Sequence, residues 1–137
     1  MNGVRDARLR KELVIRTENR VGLLAEISRI LSEMGINILG VTVQTEGDSV
    51  ALHLLVDAHL YARDALRAAQ FPVEEREVIV LELRNYAGFL CKLTMALARK
   101  DIDIEDLYAT VPEGSPKALV VFTCSNNSKA VLMLRGG

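Results

Sequence analysis

The residues with most to offer chemically fall in two stretches of one pattern: Asn19, Arg20, Val21, Gly22, Leu23 and Leu24, then Asn85, Tyr86, Ala87, Gly88, Phe89 and Leu90. In each, an asparagine precedes a glycine by three residues, and the glycine opens an apolar run at helical spacing. A helix start offers unpaired N–H groups and the positive end of the helix dipole, which together suit a carboxylate. Asn19 and Asn85 each add one acceptor and two donors. Gly22 and Gly88 lack a Cβ, so a ligand or a neighbouring backbone can come close. The chemistry offered is the binding of a small carboxylate such as an amino acid, with Asp103 or Asp106 and backbone carbonyls for its ammonium group. Plainer readings stand beside this one. Both asparagines read equally as helix N-caps, stabilising by roughly 1 kcal/mol each, and both glycines as points of close packing. Arg20 could meet a carboxylate, but its counterpart is Tyr86. Asn37 and its counterpart Asp103 also read as turn residues entering a strand.

Catalysis finds little support. His53 falls on an expected strand and His59 near an expected helix start, with no serine or cysteine partner placed by sequence. Cys91 takes the place of Ala25 in the repeat and reads as core. Cys91 and Cys124 form no CxxC, so neither a disulfide framework nor a zinc site is suggested. The glycine-rich phosphate loop and the HExxH pattern are both missing. The chain is read as no enzyme, with no cofactor and no metal.

The elements that must position the two stretches are themselves duplicated. Asn85 follows Asn19 by 66 residues, and the same offset aligns Gly22 with Gly88, Leu24 with Leu90, Leu31 with Leu97, Ile36 with Ile102 and Ile38 with Ile104. A repeat of this length is one supersecondary unit used twice. Residues 12–17 alternate as a half-buried strand should. Leu23, Leu24, Ile27, Ile30, Leu31 and Met34 then make one apolar helical stripe, and Gly35 ends it. Residues 37–44 and 50–56 read as strands joined by a turn at 45–49, residues 59–70 as a helix capped by Asp57, and 71–75 as a short fourth strand. The order is β-α-β-β-α-β, a ferredoxin-like plait with two helices on one face of an antiparallel sheet. The second copy repeats it with strands at 78–84, 104–111 and 118–124, but the chain stops after a short helix, so its last strand is missing or replaced. Two modules follow, residues 11–77 and 78–137, with residues 1–10 as a mobile arm.

Composition limits the function. Half the residues are hydrophobic, yet no apolar run is long enough to span a membrane, and the start has no apolar signal-type segment. The chain is read as cytoplasmic. A formal charge of -1 with scattered Lys and Arg argues against a nucleic-acid surface. The same plait builds an RNA-recognition module, but that module stacks bases on aromatic side chains of its strands. The equivalent strands here carry none.

The paired motifs, NRVGLL with MGINI and NYAGFL with KDIDI, resemble those of the ACT domain family, and their doubling resembles a free-standing tandem ACT protein. The resemblance covers about residues 12–134. It departs from the common pattern at Val21 and Ala87, where the family often has proline. It implies an α+β fold of two ferredoxin-like modules and a regulatory role, with an amino acid held between the first loop of one module and the second-strand start of the other. The implied site joins residues 19–24 to Ile102, Asp103 and Ile104, and residues 85–90 to Ile36, Asn37 and Ile38. The alternative is a regulatory subunit of a metabolic enzyme with no ligand of its own.

Self-association is expected as well. The strands at 50–56 and 118–124 are apolar on both faces, and helices can cover only one. A homodimer about a twofold axis would bury the rest.

Overall fold

A computed structural model describes residues 1–136; Gly137, the last residue of the second expected module, lies outside the described residues. The described chain is α+β, with six strands and four helices. It divides into two compact units, a central one of Lys11–Arg76 and a flanking one of Met1–Arg10 together with the chain from Glu77 on.

The central unit takes residues 11–18 of β1 (Val4–Glu18), then α1 (Leu23–Glu33), β2 (Ile38–Glu46), β3 (Ser49–Val56), α2 (His59–Ala68) and residues 73–76 of β4 (Val73–Arg84). β3 lies between β2 and β1, antiparallel to both, with Leu13 opposite Leu54 and Ile15 opposite Leu52. Those four side chains, with Val50 and Val56, meet Leu23, Ile27 and Leu31 of α1 and Ala62 and Leu66 of α2. Burying each large aliphatic side chain here contributes roughly 1.5–3 kcal/mol. The stripe read from the sequence is buried at Leu23, Ile27 and Leu31 and half-buried at Leu24 and Ile30, while Met34 at its end is exposed.

α1 ends as its glycine requires. Gly35 takes φ 71°, and the N–H groups of Gly35 and Ile36 donate to the carbonyls of Ser32 and Leu31. This pair of bonds satisfies carbonyls that the helix end leaves free. Asp57 does not cap α2, as its sequence position suggests; the N-cap is Ala58, and the Asp57 carboxylate accepts from the Asn37 N–H at 3.0 Å.

The flanking unit holds residues 77–84 of β4, then α3 (Phe89–Arg99), β5 (Ile104–Thr110), β6 (Lys117–Cys124) and α4 (Asn127–Arg135). β6 lies between β4 and β5, with Leu81 opposite Val120 and Ile79 opposite Phe122. Its fourth strand is the N-terminal segment, which corrects the mobile-arm reading. Residues 4–10 of β1 run beside β4, the Arg84 N–H donates to the Gly3 carbonyl at 2.8 Å, and the Arg135 Nε donates to the Ala7 carbonyl at 2.6 Å. The segment hides from sequence reading because Ala7 is its one fully buried side chain; its contribution comes from backbone pairing, which leaves no apolar period. The edge of β4 is thus covered within the chain.

Two further differences follow. The fourth strand of the first copy and the first strand of the second are one strand, β4, with the unit boundary between Arg76 and Glu77. The second faces of β3 and β6 are also less open than their composition suggests, since Leu55 and Val121 are buried within the single chain. Among the exposed large apolar side chains, Leu39, Val41 and Val43 share the edge strand β2.

Candidate functional site

Each loop is built around a left-handed glycine. Gly22 is the N-cap of α1 at φ 86°, Gly88 the N-cap of α3 at φ 94°, and neither helix has a side-chain cap. Asn19 and Asn85 are therefore not the caps that their positions suggest. The chain turns between them and the helix, with the Leu23 N–H donating to the Arg20 carbonyl at 3.3 Å and the Phe89 N–H to the Tyr86 carbonyl at 3.1 Å. Only glycine takes that φ without steric cost. Close packing is not the reason for it, because a Cβ at either glycine would meet no atom within 4 Å. The space over both helix starts is open. In the first, the N–H groups of Leu24 and Ala25 have no acceptor among the described residues, the ordinary condition of an uncapped helix start.

The asparagines anchor the loops. The Asn19 N–H donates to the Asp48 carbonyl at 2.7 Å and the Asn85 N–H to the Pro116 carbonyl at 2.9 Å, so each loop is tied to the hairpin of its own unit. Asn85 also donates its Nδ2 to the Ser115 carbonyl at 2.9 Å. Asn19 makes no such side-chain bond among the described residues, and it is exposed.

The surroundings of the two loops differ in charge. Arg20 is ion-paired with Glu26 in the first turn of α1. The residues at the same repeat positions are Tyr86 and Lys92. The Arg84 guanidinium lies 5.4 Å over the Tyr86 ring. Val21 and Ala87 are exposed, Leu23 is buried, Leu24 and Phe89 are half-buried, and Leu90 is 39% exposed.

The second-strand starts stand at the far ends of the first helices. Ile36 and Ile102 are buried, Asn37 and Asp103 exposed, and Ile38 and Ile104 half-buried. With 11 residues in α1, residues 36–38 lie a helix length of about 16 Å from residues 19–24 of the same unit. Neither unit by itself brings its own loop and strand start together. What holds each strand start is a reciprocal clasp that sequence reading missed. Asn37 N–H donates to Asp57 Oδ1 and Asp57 N–H to the Asn37 carbonyl; Asp103 N–H donates to Ser125 Oγ and Ser125 N–H to the Asp103 carbonyl. The repeat alignment, corrected for the longer second hairpin, equates Asp57 with Ser125 and could have found it. Asp106 is half-buried on β5.

The groups considered for catalysis are dispersed. His53 Nδ1 meets Oε1 of Glu12, and His59 Nε2 lies 3.9 Å from Glu75 Oε2. Cys91 is exposed with its Sγ 3.6 Å from Met95 Sδ, while Cys124 is buried, and burial pushes its thiol pKa up. The described residues contain no group of three or more His, Cys, Asp or Glu able to hold a metal ion.

The ACT domain family model matches residues 11–65, within the central unit. UPF0237 protein NMA1909 of Neisseria meningitidis serogroup A is 30% identical over 67 residues, which is 49% of this chain and 74% of that protein. The chain belongs to the ACT domain family. Among solved structures, the ACT fold seen here is similar to protein BT0572 from Bacteroides thetaiotaomicron, with a TM-score of 0.88 and 28% identity over 95% of this chain and 89% of that one. It is also similar to the ligand-free regulatory subunit of aspartate kinase from Thermus thermophilus, with a TM-score of 0.65 over 98% of both chains. At 16% identity that second likeness is one of fold. The family match covers the first glycine loop, Asn19 to Leu24, together with the helix and strand that follow it.

Proposed function

We propose that this ACT protein is a regulatory module that binds a small amino acid or a similar carboxylate and passes its occupancy to a partner enzyme. The observation that carries the proposal is the first loop, a left-handed Gly22 with open space above it, beside helix N–H groups that have no acceptor. That combination suits a carboxylate. The free side chain of Asn19 favours the first loop over the second, where Asn85 is already held by Ser115. In this reading the far side of the ligand is closed by the second-strand start of the other module, Ile102, Asp103 and Ile104 for the first loop. The separation of loop and strand start along α1 supports it, because one unit cannot supply both.

The same reading includes a homodimer. Leu39, Val41 and Val43 on the edge strand β2 are 41–48% exposed, and an apolar edge of this kind invites pairing with a second copy. Light scattering should return twice the chain mass at micromolar concentration, and a monomer would count against it. No described helix is long and apolar enough to cross a membrane.

Calorimetric titration of the intact protein with each proteinogenic amino acid tests the ligand. A saturable signal with at least one of them is expected, lost in Gly22→Val, whose branched side chain is strained at positive φ. Silence with every amino acid would favour a regulatory subunit without a ligand of its own.

A further inference from the structure

Cations are partnered differently in the two units. Every arginine of the central unit is engaged, five by carboxylates and Arg67 by the Val73 carbonyl. In the flanking unit Arg5, Arg84, Lys92, Arg99 and Lys100 have no carboxylate within ion-pair distance among the described residues. These five line two cavities that share Asn2 and Lys92, one of about 350 Å³ and one of about 510 Å³. No carboxylate side chain of the described residues lines either. In a chain of formal charge -1, such a concentration needs an explanation.

The repeat sharpens the contrast. Arg84 occupies the position of Glu18 and Lys92 that of Glu26. Both carboxylates flanking the first loop are thus cations at the second, and residues 2–5, a turn and the start of β1, add Arg5 to the same cavity. We propose that the flanking unit binds a phosphorylated small molecule here, its phosphomonoester in the smaller cavity and an apolar remainder in the larger. The charges decide between anions. A phosphomonoester carries about -1.5 to -2 and three strong acceptor oxygens, and so offsets more of the charge of Arg5, Arg84 and Lys92 than the single charge of a lone carboxylate. Guanidinium forks take two oxygens each. Arg84 is already oriented by its stacking over Tyr86, which reduces the ordering cost of binding. The larger cavity supplies apolar surface from Ala96, Met133 and Leu132, the last 70% exposed, with Arg99 and Lys100 on its rim.

Calorimetry on the intact protein at fixed ionic strength tests this with three probes: inorganic phosphate, phenyl phosphate and benzoate. Phenyl phosphate should saturate one site per chain with a dissociation constant of about 1 mM or tighter and bind at least tenfold tighter than benzoate. The double variant R84Q/K92Q should lose at least tenfold, and R5Q, which leaves helix and loop untouched, severalfold. Leu132→Ser should weaken phenyl phosphate but not inorganic phosphate. Arg29→Gln, a charge removal in the central unit, and Gly22→Val should leave phenyl phosphate binding unchanged; the latter separates this site from the amino-acid site of the first loop. The inference is overturned if phenyl phosphate fails to saturate, if benzoate equals it, or if Arg29→Gln costs as much as R84Q/K92Q.

Discussion

His53 Nδ1 lies 2.8 Å from Oε1 of Glu12, with both side chains buried. An ionised carboxylate can only accept, so the imidazole proton sits on Nδ1. The Arg76 Nη2 reaches the same Oε1 at 2.9 Å, and its 3.1 Å approach to His53 Nδ1 is then two donors converging on one oxygen. Oε2 of Glu12 has no hydrogen-bond partner among the described residues. Replacing Glu12 by alanine would remove the acceptor that the buried His53 Nδ1 and the half-buried Arg76 Nη2 share. Glu12→Ala should destabilise by about 3–5 kcal/mol, read from the denaturant midpoint, and nitrogen NMR of the native protein should find the His53 proton on Nδ1.

Ala7 tests the origin of the fourth strand. It is 2% exposed and packs in the core of the flanking unit. Ala7→Asp should cost more than about 2 kcal/mol, because a buried polar group without a partner is expensive. The mobile arm suggested by the sequence would tolerate the change within about 0.5 kcal/mol.

Asp101 occupies the place of Gly35 in the repeat and holds φ 57° at the end of α3. Its N–H and that of Ile102 donate to the carbonyls of Ala98 and Leu97, the bonds that Gly35 and Ile36 make in α1. An L-residue pays strain there that glycine does not. Asp101→Gly should raise stability by about 0.5–1 kcal/mol, whereas Gly35→Asp should lower it; thermal unfolding of the two variants would compare them.

Glu75 gives the acid response. Its hydrogen bond from Arg63, 2.6 Å, holds its carboxyl below the usual carboxylate range, and the same bond raises Arg63. A lowered carboxyl pKa means that the fold prefers the charged form. Its stabilising effect is present above the ordinary carboxylate range and is lost as pH falls through the lowered value. In Arg63→Gln the Glu75 titration should move up towards the ordinary value, and less stability should be lost on acidification. An NMR titration of the Glu75 side chain in both proteins would check it.

The repeat made most of the architecture legible. Apolar period placed α1 and α3, Gly35 placed the end of α1, and the two βαββα series follow from them. What escaped has a common physical character. Residues 4–10 are a strand held by backbone bonds, with only Ala7 buried and Val4 partly so in the core, and backbone bonds leave no mark on hydropathy. The helix starts were misassigned from Asn19 and Asn85 because a glycine cap at positive φ competes with an asparagine cap, and the sequence NxxG contains both. At the site, the clasps of Asn37 with Asp57 and of Asp103 with Ser125 join residues some 20 apart, and pairing at that distance depends on hairpin register. The charge reversal between Glu18 and Arg84 and between Glu26 and Lys92 was on the page in the sequence; its meaning needed the cavities.

The bond from Arg135 to Ala7 joins residues 128 apart in the chain, and this sets an order in time. Residues 11–76 form their unit from one continuous length, so that unit can close while the chain is still emerging from the ribosome. The flanking unit cannot. Its earliest strand leaves the exit tunnel first and then waits, unmatched, for β4 and α4, and closing so long a loop is slow. During that interval residues 4–10 are an open template for any other extended chain, and three like charges in seven residues, Arg5, Arg8 and Arg10, make the segment poorly suited to self-pairing.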